Sequence, residues 1–148
     1  MTQALPCTSL YEIDFSLWLE DTAEKVRSGK FNQIDRDALA EEIEALGRSE
    51  KRELSSRLEV LFAHLLKRCY VNQPENYQGW QSTIDEQRSQ LFHLLKTSPS
   101  LKNYFMESID DSWQYALKIT RRDYPASVFP DTWQFSREID ALLDRVFW

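Results

Sequence analysis

Apolar side chains recur every three or four residues along most of the chain, the spacing of a helix face rather than of a strand. Phe15, Trp18, Leu19, Thr22 and Val26 share one face and predict a helix over about 14–28. Asp14 stands where an N-cap belongs, and Gly29 where a left-handed stop belongs. A second stripe, Leu39, Ile43 and Leu46, follows the N-cap candidate Asp35 and predicts a helix over about 36–46. Leu54, Leu58, Leu61, Phe62, Leu65 and Cys69 form a long seam over about 50–70, with Ser49 as its expected cap. Gly47 ends or kinks the chain between the two, unless they form a single helix, because an interior glycine costs only about 1 kcal/mol.

After the Asn-Gln-Pro-Glu-Asn loop, Trp80, Ile84, Gln87, Leu91, Leu94 and Leu95 mark a helix over about 80–96. Ser98-Pro99 is a cap followed by a first-turn proline and starts a helix over about 99–123. That helix stops before Pro125. Residues 124–135 read as an ordered loop. A last helix over about 137–145 carries Ile139, Leu142, Leu143 and Val146 behind the cap candidate Ser136. No segment alternates with period two. The expectation is an all-α, single-domain helical bundle of five or six helices over 1–148, with its core at about 10–130 and a C-terminal helix at about 136–146.

Composition fits this picture. Three Gly and five Pro in 148 residues leave too few turn residues for a sheet-rich fold. Five Trp promise a core rich in large rings. The net charge of −6 disfavours nucleic acid and anionic membranes unless charge is segregated along the chain. Cys7 and Cys69 are too few for a disulfide framework. With no signal-like N-terminus and no apolar run long enough to span a bilayer, the chain is expected to be cytoplasmic.

Polar residues on apolar stripes are the places to look for chemistry. Glu42 lies between Leu39 and Leu46, Gln87 lies mid-stripe, and Arg57 and His64 share a row along the edge of the long seam. Converging in one core, Glu42, Arg57, His64, Gln87 and Arg88 would make either a structural network that fixes helix register or a small pocket for an anionic or amide ligand. His64 lacks the Glu-x-x-His spacing of a di-iron bundle, and Cys69 sits on an apolar seam, where cysteine is an inert small hydrophobe. No HExxH, Gly-rich phosphate loop or GxSxG occurs, so no catalytic residue, cofactor or metal is assigned.

Charge is indeed segregated. Residues 35–46 carry one Arg against five acids, and residues 48–68 carry six Lys/Arg against three Glu. The basic strip 48–68 suits either a nucleic acid or the acidic helix beside it. The helix over 99–123 is apolar on two sides. Its second row, Met106, Trp113 and Leu117, is covered either by the 124–135 loop and Phe147-Trp148 or by a partner. Met106, Trp113, Leu117, Phe147 and Trp148 are therefore the candidate interface.

Several strings together resemble a known family. They are Tyr11-Glu12-x-Asp14-Phe15-x-x-Trp18, Glu41-Glu42-Ile43-Glu44-x-Leu46-Gly47-Arg48-Ser49-Glu50, Ser56-Arg57-Leu58, His64-Leu65-Leu66-Lys67, Thr83-Ile84-x-Glu86-Gln87-Arg88 and Ser98-Pro99-Ser100-Leu101. The chain is similar through these to the domain-of-unknown-function family 29, found mainly in cyanobacteria, from about residue 10 to Phe129-Pro130. The resemblance implies an all-helical fold and brings no activity, substrate or cofactor. The functional expectation is a protein-interaction module, self-associating as a homo-oligomer or bound to a protein partner, rather than an enzyme. A nucleic-acid-associated factor and a small-ligand or enzymatic pocket at Glu42, His64 and Gln87 are the alternatives.

Overall fold

A computed structural model describes residues 9–148. Cys7 and the N-terminal segment weighed as a possible signal lie outside the described residues. Among the described residues there is no strand, and the regular structure consists of six α-helices, α1 (Leu10–Ile13), α2 (Phe15–Arg27), α3 (Arg36–Tyr70), α4 (Tyr77–Thr97), α5 (Leu101–Asp123) and α6 (Ile139–Asp144), with short 3₁₀ turns at Phe31–Gln33 and Pro74–Asn76. The chain falls into two compact units, Met1–Gly47 and Arg48–Trp148.

In the first unit the local signals act as the sequence requires. The Leu17 N–H donates to Asp14 Oδ1 at 3.0 Å, capping α2. Gly29 has φ +74°, and beyond it the Lys30 N–H returns to the Lys25 carbonyl at 2.9 Å, closing α2 with a left-handed C-terminal turn. Asp35 Oδ1 accepts from the Ala38 N–H at 3.1 Å and starts α3. The short α1 has no counterpart in the sequence reading, because four residues are too few to show a period. It carries Tyr11, whose ring lies 4.7 Å from that of Trp18 and whose hydroxyl donates to Glu42 on α3.

The helix α3 runs unbroken through Gly47, so Ser49 lies inside it and caps nothing. One glycine costs too little to end a helix flanked by Ala45, Leu46, Arg48 and Glu50, all compatible with helix.

The second unit has a core built from three helices. α3 supplies Leu54, Leu58, Leu61, Phe62, Leu65 and Leu66; α4 supplies Trp80, Ile84, Leu91 and Leu95; α5 supplies Phe105, Ile109, Trp113 and Leu117. The segment 124–138 crosses this core as an ordered connection and inserts Phe129 and Trp133. Trp133 is the hub of a ring cluster, with centroids 5.2 Å from Phe62, 5.5 Å from Trp113 and 5.3 Å from Phe147. Arg121 fastens the segment to α5 through the Phe129 carbonyl at 3.2 Å and Asp131 at 2.7 Å. α5 begins at Leu101 rather than at Pro99, since Ser98 to Ser100 form a turn in which the Leu101 N–H bonds the Ser98 carbonyl at 3.0 Å. α6 is shorter than expected, and Ser136 Oγ accepts from the Glu138 N–H at 3.2 Å just before it.

Candidate functional site

Of the five polar residues singled out from the sequence, the structure joins two directly. Arg57 donates from one guanidinium nitrogen to Gln87 at 3.2 Å and from another to Glu53 at 2.9 Å, linking α3 to α4. Arg88 turns to the C-terminal segment. It donates to the carbonyls of Leu142 at 2.9 Å and Arg145 at 2.7 Å, where the last turn of α6 leaves acceptors unmatched. Burial pulls the Arg88 guanidinium below its ordinary value, and Asp144 and Asp85 oppose that pull. Glu42, in the first unit, accepts from Tyr11. That bond, with burial and the carboxylate's repulsion of a phenolate, raises Tyr11 to about 12.

His64 keeps its own company. A carbonyl only accepts, so the 2.8 Å approach of Nδ1 to the Val60 oxygen places the ring proton on Nδ1. Nε2 is then an acceptor for Lys67 Nζ at 3.3 Å. The pair borders an open groove of about 440 Å³ between α3 and α5, with Val60, Ile119, Tyr115 and Arg122 along it. Burial lowers both His64 and Lys67. Cys69 is pushed up to about 11 by burial, which leaves it a thiol rather than a nucleophile near neutral pH. Among the described residues no group of three His, Cys, Asp or Glu is arranged to hold a metal ion.

The candidate interface divides. Trp113 and Leu117 are buried within the second unit, beneath the 124–138 segment and the C-terminus, while Met106 is exposed and Phe147 and Trp148 are half-buried. Arg68 lies 3.9 Å over the Tyr77 ring and 5.2 Å from the Trp148 ring, holding the C-terminal residue against α3 and α4. Several cations of the basic strip are thus engaged by their own unit: Arg68 here, Arg57 by Gln87, Lys67 by His64, and Lys51 by the Tyr104 ring at 5.6 Å.

The first unit presents a different surface. Ile43 and Leu46, expected in the core, are 60% and 69% exposed, and Phe31 is 63% exposed. Phe15, Leu17, Leu19 and Val26 of α2 are exposed too, while Trp18 and Thr22 are buried. Helical spacing shows that these residues share faces; it does not show that anything covers them. Leu19, Ala23, Val26 and Arg27 of α2, with Leu39 of α3, border an open cleft of about 340 Å³ above Trp18 and Thr22. This unit also carries ten Asp/Glu against four Lys/Arg, so the whole net charge of −6 resides in it and the second unit is neutral.

Fold and surface together define an all-helical protein with an apolar, acidic N-terminal unit. The chain belongs to the family described as Domain of unknown function DUF29, whose model matches residues 10–148. The match extends through the C-terminal helix, past the Phe129-Pro130 limit of the motif resemblance. Neither the curated proteins nor the solved structures compared with the chain give a match. Among the described residues no helix is long and apolar enough to cross a membrane.

Proposed function

We propose that this protein is a helical interaction module whose N-terminal unit is its recognition surface. One observation carries the reading. Among the described residues, eight large apolar side chains of the first unit are exposed, against six in a second unit more than twice its length. Contiguous exposed apolar surface marks sites of protein association, and Leu19 and Val26 of α2 with Leu39 of α3 border one open cleft. The second unit supports the reading from the other side: it buries its rings, ties down its own C-terminus and holds much of its basic strip by internal bonds.

The test uses the full chain, tagged and expressed at native level in its own cells. Gel filtration of the extract is expected to show the wild-type chain in an assembly larger than one 148-residue chain. Ile43→Asp with Leu46→Asp, both at exposed positions, is expected to return it to single-chain size while leaving its circular dichroism unchanged. Wild type eluting as a single chain, or an assembly indifferent to the double substitution, overturns the proposal.

A further inference from the structure

We infer that the occupant of the first unit's apolar face is a basic amphipathic segment of another protein rather than a second copy of this chain; this rests on the interaction reading above. The geometry supplies the apolar half of the argument. Leu19 and Val26 stand two helical turns apart on α2, and with Leu39 of α3 they flank the open cleft above Trp18. That spacing suits anchors at i, i+3 or i+4, and i+7 of a docked helix.

Charge selects the partner. Arg27 stands on the rim of the cleft, the exposed carboxylates Glu20 and Glu24 lie on the flank of the same helix, and the unit as a whole carries six more acids than bases. Bringing two copies of this unit together sets one net charge of −6 against another, so the copies repel as they approach. An anionic lipid surface meets the same repulsion. A segment with Lys and Arg flanking an apolar stripe instead gains at both places, and its association is accelerated by long-range attraction.

The experiment titrates the intact chain with two synthetic 16-residue helical peptides of identical leucine pattern, one filled with lysine and one with glutamate. Binding is read by fluorescence anisotropy and located by amide shifts in NMR. The Lys/Leu peptide is expected to bind, to shift amides of α2, and to weaken at least tenfold between 50 and 500 mM salt, roughly as screening of exposed charges dictates. The Glu/Leu peptide is expected not to bind. Leu19→Ser with Val26→Ser, which keeps the charge, is expected to weaken the Lys/Leu complex at least tenfold. Glu20→Gln with Glu24→Gln is expected to flatten its salt dependence.

Equal binding of both peptides, or binding indifferent to the α2 substitutions, overturns the inference. So does sedimentation of the pure chain as a dimer that Leu19→Ser with Val26→Ser dissociates. The two failures are separable. A native assembly lost on Ile43→Asp with Leu46→Asp, but no Lys/Leu binding, removes the basic partner and keeps the interaction module. A native single chain removes the module itself.

Discussion

Arg88 sits almost wholly inside the protein, yet its charge is answered by two main-chain carbonyls rather than by a carboxylate. The planar guanidinium reaches both Leu142 and Arg145, a reach that a single ammonium does not duplicate. Arg88→Ala is expected to cost about 2–3 kcal/mol of unfolding free energy in urea titrations, from two charge-assisted bonds lost in a buried place. Arg88→Lys is expected to recover little of it. His64 is the second informative residue. Burial lowers its pKa in the folded chain, whereas the unfolded chain titrates at about 6.5. The unfolded chain therefore takes up the proton first as pH falls. Stability from this group is complete above about 6.5, declines as pH drops through that value, and levels off below the lowered folded pKa. Thermal melts at pH 5.5 and 7.5 are expected to differ in that sense, and the difference is expected to shrink in His64→Gln. Arg88 also shows what sequence reading reaches at this scale. Its placement on a core stripe was legible; its partners, more than fifty residues away, were not, because they are backbone atoms that any sequence offers.

The elements were written plainly where local chemistry fixes them. Asp14, Gly29 and Asp35 act at helix ends as their residue types require, and Asp14→Ala is expected to destabilise the chain by about 1 kcal/mol. Gly47 was harder, since a glycine both permits a break and survives inside a helix. It lies within α3, and a β-carbon added there meets nothing within 4 Å. Gly47→Ala is accordingly expected to stabilise the chain by about 0.5–1 kcal/mol, read as a higher melting temperature. An unchanged or lowered temperature would mean that the helix is interrupted at this point in solution. The two shortest helices were the least visible. α1 spans too few residues for a period, and α6 is held by Arg88 and by packing around Leu142 more than by its own propensity.

For the molecule as a whole, one periodic signal has two meanings. The same spacing that places Leu58, Leu61 and Leu65 in a core places Ile43 and Leu46 in solvent. Period reports a shared face, and only tertiary packing decides whether the face is covered. The clue that was legible lies in the charges, since the apolar positions of 39–46 are interleaved with the densest acids in the chain. The aromatic hub works in the opposite sense. Trp133, from a segment with no periodicity, completes the second unit's core by joining Phe62, Trp113 and Phe147. Trp133→Ala is expected to cost about 3–5 kcal/mol and to expose the C-terminal residues to proteolysis.

The central claim, that the first unit's apolar surface is occupied by another polypeptide in the cell, is tested most directly by photo-cross-linking. Benzoylphenylalanine is placed singly at position 43, at position 19 and, as a control, at Val128, which is 87% exposed in the second unit. Irradiation of living cells is expected to yield discrete higher-mass adducts from positions 43 and 19 and none from 128. Adducts of equal yield at all three positions, or none at 43 and 19, would contradict the account.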